Sequence, residues 1–144
     1  MKGIKEIRKA VVTLANRINK KAKNLSSAFK RAWQIIKGKS LITKVSGVTF
    51  GSRQKALRHL SRYTRERINV ILVREYDNKF DGNAVKVIVN VDSGKGYTMG
   101  YLPKELAGEL SILFDKGFNI SANYRTTTGG FFVDCLGCLI DIVF

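Results

Sequence analysis

Apolar positions in the first quarter of the chain recur at helical spacing. Ile4, Ile7, Val11, Leu14 and Ile18 are separated by alternating steps of three and four, the stripe of an amphipathic helix. Lys5, Arg8, Lys9, Arg17, Lys20 and Lys21 fall mostly off that stripe. Asn24 and Leu25 interrupt the pattern. Ser26 or Ser27 can cap a second helix, in which Ala28, Phe29, Ala32, Trp33 and Ile36 share one face and Gly38 is a stop. Phe29 and Trp33 read as docking residues, against the rest of the protein or a second copy. A helix-turn-helix is disfavoured, because the joint around Asn24 lacks Gly and nothing marks a recognition helix.

From Leu41 the period changes to two and β-branched residues take over. The pattern predicts strands over 41–50, 67–74, 84–91 and 97–102, the second of them buried. A closing β pair over 118–127 and 131–144 follows, around Gly129 and Gly130. Gly47 marks a bulge or a close backbone approach in the first strand. A short helix is predicted over 53–62, with Ala56, Leu57 and Leu60 inward. A second starts with Pro103 at its first position, turns Leu106, Leu110, Leu113 and Phe114 inward, and ends at Gly117. Six short strands with two interposed helices predict a mainly β, α+β domain, a small curved sheet or barrel over 40–144. Residues 1–39 form a separate basic helical segment.

Composition adds a partner to this outline. Of 144 residues, 26 are Lys or Arg and 11 Asp or Glu, a net charge of +15. Residues 1–39 hold nine Lys and three Arg against Glu6, a net +11, which leaves +4 for the rest. Such a concentration points to a polyanion, nucleic acid before an anionic membrane surface. An apolar content of 44% supports a real core and excludes wholesale disorder. No stretch is apolar and long enough for a transmembrane helix, and residues 1–15 lack the apolar run of a secretory signal.

Chemistry-bearing residues are few. His59 is the single histidine and reads as a surface residue, so any site needing two histidines is excluded. Cys135 and Cys138 spell C-x-x-C without the further ligands of a zinc site. They sit in a predicted strand rather than at a helix start, and positions three apart there point to opposite faces. Two cysteines without a signal fit a reducing, cytoplasmic compartment. The loop 75–83 offers Asp77, Asp81 and Asn83, but an EF-hand starting at Asp77 would need oxygen ligands at Lys79 and Ile88. Glu75, Asp77 and Asp81 leave a metal-dependent nuclease as a remote alternative. No enzyme signature, cofactor or metal is expected. Asn78, Asp81 and Asn83 beside Phe80 read either as a turn scaffold held by Asx hydrogen bonds or as a polar pocket walled by Phe80. A carboxylate there would repel phosphate yet accept a hydrogen bond from a sugar hydroxyl.

Three ordered motifs carry a resemblance. Arg74, Glu75, Asn78, Phe80, Asp81, Asn83, Ala84, Val85 and Val87 form one run, Gly47-Val48-Thr49-Phe50 precedes it, and Gly100-Tyr101-Leu102-Pro103-Lys104-Glu105-Leu106-Ala107 follows. Together they resemble the HIRAN domain family over about residues 44–144. The resemblance implies a small OB-like or SH3-like barrel that binds DNA, preferring single strands and their 3′ ends. Carried over by motif, Asp81 would accept the 3′-hydroxyl, Asn78 would shape its pocket, Phe50 and Phe80 would contact the end nucleotides, and Lys104 would meet a phosphate. Tyr101 stands where the best-described member has a histidine. Thr49 replaces a cation, Phe80 lacks a tyrosine hydroxyl, and Gly51 replaces a second aromatic. Arg53, Lys55, Arg58, Lys20, Lys21, Lys30 and Arg31 are the candidate phosphate contacts. Free-standing members are bacterial or phage-like. The expectation is therefore a non-catalytic DNA-binding module. The alternative is an adaptor whose N-terminal helices bind a partner or a second copy.

Overall fold

In the computed structural model, residues 40–115, 117, 119–129 and 135–143 are described, with residues 9, 12, 13, 15 and 16. The elements are β1 (Leu41–Lys44), α1 (Arg53–Leu60), a 3-10 turn (Arg65–Arg67), β2 (Ile68–Arg74), β3 (Val85–Val91), β4 (Tyr97–Tyr101), α2 (Lys104–Asp115), β5 (Ser121–Thr128) and β6 (Gly137–Val143). All six strands belong to one antiparallel sheet in the order β1-β6-β5-β2-β3-β4.

The sheet curls until its two ends touch. Just beyond β1, Ser46 bridges to Tyr101 at the end of β4. The Ser46 amide donates to the Tyr101 carbonyl at 2.7 Å, and the Tyr101 amide donates back at 2.9 Å. Gly100 makes this contact possible. A Cβ there would overlap the Ser46 carbonyl oxygen and come within 2.8 Å of Val45 Cγ1. Gly100→Ala is therefore expected to cost about 2 kcal/mol or more of stability, read as a lower urea midpoint. At Gly82 an added Cβ meets nothing within 4 Å, and Gly82→Ala should stay within about 0.5 kcal/mol.

Alternation builds the core. Val85, Val87 and Val89 of β3 and Cys138, Ile140 and Ile142 of β6 point inward, where Leu57 and Leu60 of α1 and Leu106, Leu110 and Leu113 of α2 meet them. The predicted inward faces of both helices are thus the packed ones, with Ala56 and Phe114 half-buried. Ala15 belongs to the same buried cluster, and the five described residues of the amino-terminal segment that holds it are helical. The rest of the two predicted basic helices, with Lys20, Lys21, Lys30 and Arg31, lies outside the described residues.

Three expectations need correction. The first strand stops at Lys44, and 48–52 form a turn, because Gly47 and Gly51 take φ of +76° and +56° and turn the chain out of the sheet. The second strand is buried on one face only: Ile71 and Val73 are exposed, as expected where an antiparallel sheet packs one face and leaves the other to solvent. Helix α2 is assigned from Lys104. Pro103 stands just before it and gives its carbonyl to the Ala107 amide at 2.8 Å, so a missing proline amide costs nothing there. The remaining boundaries shift by a few residues, the last strand most, since it begins at Gly137. Among the described residues no helix is long and apolar enough to cross a membrane.

Candidate functional site

The closure of the sheet draws four chain segments to one place. The turn after β1, the start of α1, the β2–β3 loop and the β4–α2 junction surround an open cleft of about 660 Å³. Its walls include Phe50, Asn78, Phe80, Asp81, Tyr101 and Lys104, the six residues singled out for an end pocket, together with Arg53.

The β2–β3 loop is held by its own polar side chains. Asn78 Oδ1 accepts the amides of Phe80 at 2.9 Å and Asp81 at 3.0 Å, and Asp81 Oδ1 accepts the Asn83 amide at 2.9 Å. These are Asx turns, which fix a loop without a regular ladder. The loop base is pinned by the Glu75 amide to the Ala84 carbonyl at 2.9 Å. Scaffold and pocket, the two readings of this composition, therefore coexist. Asp81 Oδ2 accepts no hydrogen bond among the described residues, and the carboxylate lines the cleft.

Glu75 sits behind the loop with a different task. Asn78 Nδ2 donates to its carboxylate at 3.0 Å and Lys86 Nζ pairs with it at 3.0 Å. These donors, Asn78 first, hold Glu75 at about 2 rather than the ordinary 4.5. A carboxylate whose pKa is lower when folded stabilises the fold above its unfolded value and loses that contribution as pH falls through the folded value. Stability should therefore drop between pH about 4.5 and 2. Glu75→Gln should flatten that part of a melting-temperature profile. Glu75 foremost pushes the Lys86 ammonium up, while burial first and then Glu75 push the Tyr101 hydroxyl up.

Two phenylalanines frame the cleft. Phe80 is 93% exposed and Phe50 68%. One exposed apolar side chain is ordinary, but two rings on the rim of one cleft with cations beside them form a stacking face. The Arg53 guanidinium lies 5.9 Å from the Phe50 ring centre and 5.8 Å from that of Tyr101, and its Nη1 donates to the Gly47 carbonyl at 2.7 Å. The sequence marks Arg53 as a phosphate contact apart from the end pocket; the structure sets it in the wall itself. Gln54 ties this wall together, donating to the carbonyls of Val48 at 3.0 Å and Leu136 at 2.9 Å and accepting the Leu136 amide at 2.8 Å. Gln54 and Ser46 escape the sequence reading, while Ala84 and Leu102 enter it only as motif residues and not as part of the site. The signal for Ser46 was Gly100, a glycine inside a strand that marks close backbone approach.

The other candidates lie apart. Lys55 and Arg58 are exposed on α1. His59 is exposed and meets Tyr63 edge-on at 5.0 Å. Cys138 is buried, which pushes its thiol up to about 12, while Cys135 is exposed. No group of three or more potential metal ligands occurs among the described residues.

Comparison with known proteins gives two matches. The HIRAN domain is matched over residues 41–129, the span from β1 to the end of β5. The chain is also similar to the crystal structure of the HIRAN domain of human HLTF, at 28% identity over 73% of this chain and 74% of that one, with a TM-score of 0.46. No curated protein matches.

Proposed function

The chain belongs to the HIRAN domain family, a family of DNA-binding domains, and on that premise we propose that it is a non-catalytic module whose cleft receives the 3′-hydroxyl end of a single DNA strand. The observation that carries this reading is the convergence of two exposed phenylalanine rings, two cations and one carboxylate on one open cleft. Phe50 and Phe80 stack on the end bases. Arg53 and Lys104 attract the phosphates. Asp81 offers the cleft a carboxylate, the only acidic side chain in its wall among the described residues, where it accepts the terminal sugar hydroxyl and repels a terminal phosphate. Tyr101 and Asn78, which holds the loop, set the shape of the pocket.

Fluorescence anisotropy on labelled strands ending in a 3′-hydroxyl or a 3′-phosphate, and on a circular strand without ends, tests this. The 3′-hydroxyl strand should bind tightest and remain intact in the presence of magnesium. Equal affinity for all three removes the end pocket while leaving DNA binding in place. No binding at low salt removes both.

A further inference from the structure

The cleft accounts for a strand end but not for the run of cations that starts at its wall. Between Arg53 and Arg67 the chain carries Arg53, Lys55, Arg58, Arg62, Arg65 and Arg67 against Glu66 alone. Helix α1 turns Leu57 and Leu60 into the core and leaves Lys55, Arg58 and, just past its end, Arg62 exposed. Steps of three and four put these three on one side of the helix. Arg67 is committed to Asp92. Lys55, Arg58 and Arg62 make no ion pair or hydrogen bond through their side chains among the described residues.

Arg58 in the last turn and Arg62 just past it suit the helix dipole, but the cations of the first turn do not. The first turn of α1 holds no acidic residue, and Ser52 makes no side-chain cap. Cations in a first turn oppose the helix dipole, so Arg53 and Lys55 stand where they weaken α1 slightly. Arg53 is shared with the cleft, which makes the exposed row continuous with the site. Eight residues of helix extend about 12 Å, enough for about two phosphates of an extended strand, with Arg62 beyond.

Resting on the end-binding reading, we infer that a strand whose 3′ end occupies the cleft leaves it along α1, its successive phosphates in the 5′ direction meeting Lys55, then Arg58, then Arg62. Residues 53–62 form a phosphate track, and its partner is the continuing single strand.

Because the end is anchored, each cation has its own threshold. Full-length protein is titrated with 3′-hydroxyl oligothymidylates of increasing length, from about two to ten nucleotides, at several salt concentrations. Lys55→Ala should weaken binding of short strands already, Arg58→Ala only of longer ones, and Arg62→Ala only of the longest. Above its threshold each change should cost about fivefold in affinity at 0.1 M salt and reduce the salt slope by about 0.7, the value for one single-strand phosphate contact. Lys44→Ala/Lys95→Ala removes two exposed charges that neither lie on α1 nor line the cleft, and should leave the slope near that of the wild type.

Loss at the same length for all three variants, no loss at any length, or an equal effect of the control pair overturns the track. If the wild type still prefers a 3′-hydroxyl in those cases, the cleft reading stands and the track alone has failed. If that preference is absent, the premise has failed and the ordered thresholds vanish with it.

Discussion

Replacing Phe50 and Phe80 together with alanine should weaken single-strand binding by about 2–6 kcal/mol, the sum of two stacked bases at about 1–3 kcal/mol each. At the lower bound that is roughly a thirtyfold rise in Kd. Both rings are mostly exposed, so their removal takes little from the fold, and the melting temperature should stay close to that of the wild type. No charge is removed, so the salt slope should also stay the same. Loss of affinity at constant slope and constant stability is the signature of lost stacking. An unchanged affinity would mean that the rings are bystanders and that binding rests on phosphates alone. The single variants should each show part of the loss, with Phe80→Ala a cleaner test. The Phe50 ring lies close to the Arg53 guanidinium and the Gly47 turn, and its removal loosens that wall too.

Much of this site was legible because its chemistry is local. The β2–β3 loop carries its scaffold in its own sequence: Asn78 and Asp81 bond amides two or three positions along the chain, a pattern that residue types and spacing reveal. The one-sided packing of both helices followed from the positions of Leu57, Leu60, Leu106, Leu110 and Leu113. The alternation of β3 likewise separated Val85, Val87 and Val89 from Lys86 and Asn90.

What stayed hidden depends on how the sheet closes. Val48, Thr49 and Phe50 have strand-forming side chains, yet two glycines at positive φ bend the backbone there, so backbone geometry overrode side-chain preference. Arg53 reads as a phosphate contact outside the end pocket, and the bridge between Ser46 and Tyr101 brings the start of α1 to the cleft. The run 67–74 reads as a buried strand because apolar content alone does not say whether a layer covers its second face. Gly47 reads as a bulge or a close backbone approach. It supplies the turn, while the close backbone approach falls to Gly100, against Ser46.

Asp81→Asn should reverse the choice between strand ends. In the wild type a terminal 3′-phosphate brings about −1.5 to −2 charges against the Asp81 carboxylate. Two unit charges 4 Å apart near a protein surface repel by about 4 kcal/mol at an effective dielectric of 20, less after screening by salt. A preference of at least tenfold for the 3′-hydroxyl is therefore expected. Asparagine keeps an oxygen in the position that accepts the Asn83 amide, so the loop should hold its shape and the melting temperature should change little. At the cleft the variant offers a neutral acceptor in place of a charged one. Hydrogen bonds to charged groups contribute about 1.5–3 kcal/mol and neutral ones about 0.5–1.5, so affinity for the 3′-hydroxyl strand should fall by about tenfold. Affinity for the 3′-phosphate strand should rise, because the repulsion is gone and Arg53 and Lys104 remain. Movement of the two affinities in opposite directions separates this role from a structural one, since a distorted loop would weaken both. Equal binding of the two ends by the wild type, or a parallel loss in the variant, would take Asp81 out of end recognition.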